Sequence, residues 1–324
     1  MKISHQHHRR FLLAGCALGA VFLCVAQASW AVNYVVTSTF AADGHPHFPA
    51  VNAKGKRLYV SDVTAGTVTM FDLTNGAKLA VTATGIAAHT VVYNEANGNV
   101  YVANRGSNTL SVLSGKTNAK LVDIPVGSGP HGVDLDLLKK RVYVSNTYSN
   151  DVTVADLVTN QAITTFTAGT EPWGVAFNPF SRCLYVANTG EGTISRVDSR
   201  TGVTLMKIVV GGRPWSVKVS ATTGRVYATD ELGGVLTVIE GNTVIASIPV
   251  GVAPHGVILD LAKSLAFVAV TGSNQVAVVD LLTNQVVQTV PVGLQPTSVA
   301  LDRLTSKVYA ANQGGGTISV LTPQ

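Results

Sequence analysis

From residue 33 onward, apolar and polar positions alternate in short runs broken by clusters of Gly, Asn, Asp, Pro and Lys. Residues 132–169 show the pattern: GVDLD, then RVYVSN after a turn, then DVTVADL, then AITTFTAG. Each run is rich in Val, Ile, Thr and Tyr, and apolar residues recur at every second position. That period predicts strands, and the breakers between the runs predict tight turns. No stretch beyond the N-terminal leader keeps a helical period.

The same sentence recurs. The tetrapeptide YVSN begins at Tyr143. Matching words begin at Tyr59 (YVSD), Tyr101 (YVAN), Tyr185 (YVAN), Tyr227 (YATD), Phe267 (FVAV) and Tyr309 (YAAN). The spacings are 42, 42, 42, 42, 40 and 42 residues. Four strands in such a period predict one blade of a β-propeller, and seven copies predict a seven-bladed, all-β ring. The last copy has only three strands before the chain stops at Gln324. NYVVTSTF (33–40) stands where a fourth strand would precede the first copy. We therefore expect the N-terminal strand to complete the last blade, which would remove two exposed sheet edges.

The Y-V-[AS]-[ND] words, the 42-residue period and the P-x-G-V start of the copies resemble the YVTN-type seven-bladed propeller family. The resemblance covers about residues 33–324 and implies the fold. Propellers serve many roles, so it implies little about function.

Residues 1–31 read as a signal peptide. MKISHQHHRR is basic, FLLAGCALGAVFLCVA is apolar, and AQA or SWA offers cleavage after Ala28 or Ala31. Export places the mature propeller, 32–324, in the periplasm or outside the cell, without a membrane span. Arg9-Arg10 leaves Sec and twin-arginine export both open, and LAGC leaves lipidation at Cys16 open. Removing the leader changes the charge. It carries Lys2, Arg9 and Arg10, so 23 − 3 = 20 basic against 18 acidic side chains remain, a net of +2. No basic cluster with interleaved aromatics is left, so no nucleic-acid partner is expected. Cys183 is the one cysteine of the mature chain and cannot form an internal disulfide. Its slot two before Tyr185 suits a buried small side chain. A monomer is expected.

The candidate chemistry sits at one repeat position, twelve residues before each Tyr or Phe. It holds His47, His89, His131, Trp173, Trp215, His255 and Thr297. Four of the mature chain's five histidines occupy this slot, and the fifth, His45, is two residues away. The slot is expected just before the innermost strand of each blade, at one mouth of the central channel. The far end of the second strand comes to the same face. It carries Asn104, Asn146, Asn188 and Asp230, with Arg105 following Asn104. The expectation is a polar funnel: an inner ring of His and Trp, an outer ring of Asn and Asp.

Three readings follow. A binding module would use the indoles as a wall and His, Asn and Arg105 as orienting groups for a small molecule, glycan, peptide or protein. His47, His89 and His131, in adjacent blades, could hold Zn, Cu or Ni through neutral imidazoles. An enzyme is the second reading. The P-H-G words at His131 and His255 resemble those of streptogramin lyases, seven-bladed propellers that use a top-face histidine as general base; lactonases of related architecture are another precedent. That resemblance implies His131 or His255 as the base of a metal-assisted reaction. The lyases' metal-binding glutamate has no match, since Glu171, Glu191 and Glu231 stand at other slots. The third reading is a scaffold whose Pro-His-Gly words only form turns.

Overall fold

The computed structural model describes residues 33–42 and 44–324. The expected signal peptide, its cleavage sites and Cys16 lie outside the described residues. Among those described are 28 strands and two single-turn 3-10 segments.

Numbered in chain order, the strands form seven four-stranded antiparallel sheets. Seven inner strands face the axis. They are β2 (Pro46–Asn52), β6 (Ala88–Tyr93), β10 (Pro130–Asp136), β14 (Pro172–Asn178), β18 (Pro214–Val219), β22 (Pro254–Asp260) and β26 (Pro296–Asp302). Each contacts the next, and β26 contacts β2, which closes the ring. In six blades the remaining strands follow outward in chain order. The seventh blade runs β26, β27 (Lys307–Asn312), β28 (Thr317–Pro323) and then β1 (Tyr34–Ala41). The N-terminal strand thus completes the last blade. Tyr34 pairs with Pro323 and Ala41 with Thr317.

Alternation along each strand sends apolar side chains into the seams between blades, and seven hydrophobic clusters fill them. The recurring Tyr or Phe of the repeat is buried in every copy. Cys183 lies in one such cluster, with the Arg196 Nε–H donating to its Sγ at 3.4 Å.

Hydroxyls stitch the seams near the axis. In blades 1, 3 and 5 the third letter of the tetrapeptide is Ser61, Ser145 or Thr229. Each donates to the carbonyl of the slot residue in the next blade: His89 at 2.5 Å, Trp173, and His255 at 2.6 Å. Each also accepts the backbone N–H that follows its own blade's slot: Phe48 at 3.0 Å, Gly132 at 2.9 Å and Ser216 at 3.1 Å. Thr297 closes the last seam by donating to the His47 carbonyl at 2.8 Å.

The closing strand is held by more than its ladder. Tyr34 is buried, packs edge-on against Phe267 at 4.8 Å, and its N–H donates to Gln288 Oε1 at 2.8 Å. Tyr34→Ala should lower unfolding stability by about 3–5 kcal/mol, the usual cost of emptying a buried aromatic site. Val36→Ala on the same strand, at a more exposed position, should change it by no more than about 0.5 kcal/mol. Denaturant titration of both variants measures the difference, and equal small effects would show that β1 does not hold the ring shut.

Candidate functional site

The slot residue is the second residue of each inner strand, within the strand rather than before it. The strand pairing slips just there: in blades 1 to 6 the ladder skips from the Pro to the third residue beyond it. In blade 2 an Ala, Ala88, takes the place of the Pro. The slip leaves the slot side chain free of the ladder and turns it toward the axis.

The rings meet in series. His47 and His89 lie 4.2 Å apart between centroids, and His89 and His131 4.4 Å. His131 stacks on Trp173 at 4.6 Å. Trp173 meets Trp215 at 5.5 Å, and Trp215 lies flat on His255 at 4.7 Å with 1° between the planes. Trp215 also crosses the axis to reach His47 at 6.2 Å and His131 at 5.3 Å. Phe48, one residue below the slot, stacks beneath it at 5.6 Å. The inner ring is therefore a packed plug that fills the channel at this level, where an open funnel was expected. His47, His89, His131, Trp215 and Thr297 are buried, while Trp173 and His255 stay partly open to solvent.

Burial has an electrostatic consequence. Taking an imidazolium out of water is costly, so desolvation holds His47, His89 and His131 well below the usual histidine pKa. Their mutual proximity and the Arg105 charge push the same way. His255 is also lowered by burial, although Glu231 opposes the shift. The plug is neutral at physiological pH. His47 Nδ1, His89 Nδ1 and His131 Nε2 are buried without hydrogen-bond partners. Neutral imidazoles are the right state for metal ligation, but the rings contact face and edge. Among the described residues no group of three or more His, Cys, Asp or Glu side chains is placed to hold a metal ion.

The outer ring turns away from the mouth. Asn104, Asn146 and Asn188 are fully buried, and each donates through Nδ2 to two hydroxyl or carboxylate oxygens near the start of its blade's third strand. A glycine from the preceding connection covers each side chain: a Cβ on Gly169 would lie 2.3 Å from the Asn188 Cγ. Asp230 accepts the N–H groups of Arg213 at 2.7 Å and Leu232 at 3.1 Å. These residues hold the rim turns in shape, because buried backbone donors and side-chain amides need partners inside the blade.

What does face the mouth is a smaller, charged set. The residue four after the repeat Tyr or Phe is Thr147, Thr189 or Thr271 in three blades. Each of these donates to the carbonyl of the Pro opening the next inner strand. Blade 2 has Arg105 in this position and blade 5 has Glu231. The Arg105 guanidinium sits 5.0 Å from the Tyr148 ring and 5.7 Å from the Trp173 ring. Arg213 approaches Trp173 at 5.5 Å. Glu231 lies between Arg213 at 3.2 Å and His255 Nε2 at 3.5 Å. Tyr148 and Arg213 were not singled out from the sequence, and Glu231 entered there only as a glutamate outside the lyases' metal-binding slot. Comparing the Thr position across copies would have exposed Arg105 and Glu231 together.

A family model described as choice-of-anchor I domain matches residues 89–313. The chain belongs to the choice-of-anchor I domain family. No curated protein matches it. Among solved structures, this choice-of-anchor I propeller is similar to a chain of the Kuenenia stuttgartiensis hydrazine synthase. The TM-score is 0.77 at 20% identity, over 89% of this chain and 98% of that one. At that identity the likeness shows the fold alone. No helix among the described residues is long and apolar enough to cross a membrane.

The plug makes stability depend on pH. A histidine whose folded pKa is lowered leaves the unfolded chain binding more protons, so stability falls as pH drops below about 6.5. Each plug histidine adds a slope of up to about 1.4 kcal/mol per pH unit. Unfolding free energy should therefore fall between pH 7 and 5, and His89→Gln should flatten the slope. Urea titrations across that range measure it, and an unchanged slope in the variant would remove the plug as its source.

Proposed function

We propose that this choice-of-anchor I propeller is an exported binding module, of the YVTN type, that takes a small planar anion at the mouth above its aromatic plug. One observation carries the reading: Arg105 is a cation without a carboxylate partner, held between two aromatic rings. The other mouth guanidinium, Arg213, is neutralised by Glu231, whereas among the described residues Arg105 enters no ion pair. Its Nε is buried and unbonded, as is the Trp173 indole Nε1. Both are donors without acceptors, and an unmet buried donor is costly. A carboxylate or phosphate would take the solvent-facing Nη donors of the same guanidinium, which have no protein partner among the described residues, and a flat body would lie against Tyr148 or Trp173. The partly exposed Trp173 and His255 form the floor of the site. Trp215 and the three buried histidines stiffen that floor from below, and Asn104, Asn146, Asn188 and Asp230 fix the loops around it. An exported, surface-exposed binding protein agrees with both the leader sequence and the family.

A second reading rests on the contact between Glu231 and His255. A carboxylate beside a half-buried imidazole is the arrangement of a general base. In this reading His255, whose ring is less enclosed than that of His131 but whose nitrogens are buried, would turn its Nε2 outward to abstract a proton from a ligand at the mouth.

Benzoate and its neutral isostere benzamide test the binding reading. Benzoate should change the tryptophan emission and bind at least about ten-fold tighter than benzamide, a difference of ~1.4 kcal/mol for one charge-assisted contact. Arg105→Ala should abolish the preference without changing the melting temperature, since Arg105 bonds no blade core. Equal affinities for the two probes, or an unchanged preference in the variant, would contradict an anion site at Arg105.

A further inference from the structure

Below the plug the channel opens again into a cavity of about 280 Å³. It is lined by Phe48 above and reaches Glu95 and Arg303, both exposed at the opposite face. At roughly 30 Å³ per water molecule it has room for about nine, hence for an organic molecule of about that many non-hydrogen atoms.

The repeat shows what is unusual about its wall. The position three beyond the slot is Ala50, Val92, Asp134, Ala176, Lys218, Ile258 and Ala300 around the ring. Five blades place an apolar side chain there. Blade 3 places a carboxylate and blade 5 an ammonium, with the short Ala176 between them. Both charged side chains line the cavity. One oxygen of Asp134 accepts the Phe177 N–H at 2.8 Å, which leaves the other available. Neither Asp134 nor Lys218 enters an ion pair among the described residues. Hydroxyls of Thr90, Ser216 and Ser298 add neutral donors and acceptors on the same wall.

A charge of each sign, more than 4 Å apart and set in an apolar ring, is complementary to a molecule that carries both charges on a short apolar body. We propose that this lower channel is a second binding site, for a small zwitterion such as a free amino acid. The ligand's ammonium would meet Asp134 and its carboxylate Lys218. The site is reached from the face opposite the mouth and does not depend on Arg105. Burial raises the Asp134 pKa and the Lys218 charge partly offsets this. A ligand ammonium would hold the carboxyl ionised further, as opposite charges at close range do.

Calorimetric titration of the full chain tests this with a panel of glycine, L-alanine, L-valine, L-leucine, β-alanine and γ-aminobutyrate. Butylamine and butyrate serve as single-charge controls. At least one amino acid should bind about ten-fold or more tightly than either control. Asp134→Asn and Lys218→Met should each weaken it about ten-fold or more, and Arg105→Ala should leave it unchanged. Lys218→Glu should reverse the preference and admit propane-1,3-diamine, a gain that a merely misfolded variant cannot show. Circular dichroism and melting confirm that each variant is folded. Three results would overturn the proposal: no amino acid of the panel binding at millimolar concentration, affinities unchanged by both Asp134→Asn and Lys218→Met, or loss of binding in Arg105→Ala. The last would assign the ligand to the mouth instead.

Discussion

Closing seven sheets around one axis brings one repeat position of every blade to the same place. That constraint governs the rest of the molecule. Seven slot side chains must share the channel cross-section, and here six of them carry rings. They pack as a protein interior packs, by stacking and edge contact, until the channel is filled at that level. The hydroxyl bridges from Ser61, Ser145, Thr229 and Thr297 then fix the backbone on which four of those side chains stand. A plug made this way divides the axis into two compartments, a charged mouth above and a mixed cavity below.

Function on such a ring has to come from broken symmetry. A duplicated repeat begins with the same side chains in each copy, so a charge present in one or two blades stands out against a structural background. Threonine at the fourth residue after the repeat aromatic binds the next blade. Arg105 and Glu231 give up that bond and gain access to the mouth. Three residues beyond the slot, Asp134 and Lys218 interrupt an apolar ring in the same way. Asp134 and Lys218 line a cavity beside the axis, while Arg105 and Glu231 stand against the partly open Trp173 and His255, and these placements support the two binding readings.

The fold was legible because the period is nearly invariant and the strand pattern is repeated seven times. Even the closing strand could be placed, from the missing fourth strand before Gln324. The convergence of the histidines and tryptophans was legible for the same reason. Their depth was not, because spacing gives a side chain's level along the axis but not how far it leans inward. Trp215 reaches across the channel and is buried, while Trp173, at the same slot, stays partly open. The Asn and Asp ring was misread for a related reason. Polarity at a strand end suggests a solvent face, yet Asn104, Asn146 and Asn188 turn their amide N–H groups into their own blades under covering glycines. Tyr148 and Arg213 come from separate loops, and only the folded ring sets Tyr148 beside Arg105 and brings both guanidiniums to Trp173.

The central claim is that the mouth above the plug receives an anion on Arg105 against Trp173. A crystal soaked in 4-bromobenzoate tests it most directly, through the anomalous signal of the bromine. The account predicts one strong peak over the mouth, with the carboxylate density at the Arg105 guanidinium and the ring against Tyr148 or Trp173, the plug undisturbed. Bromine found only on the outer blade surfaces, or a mouth left empty while Arg105 pairs with a protein carboxylate, would contradict it.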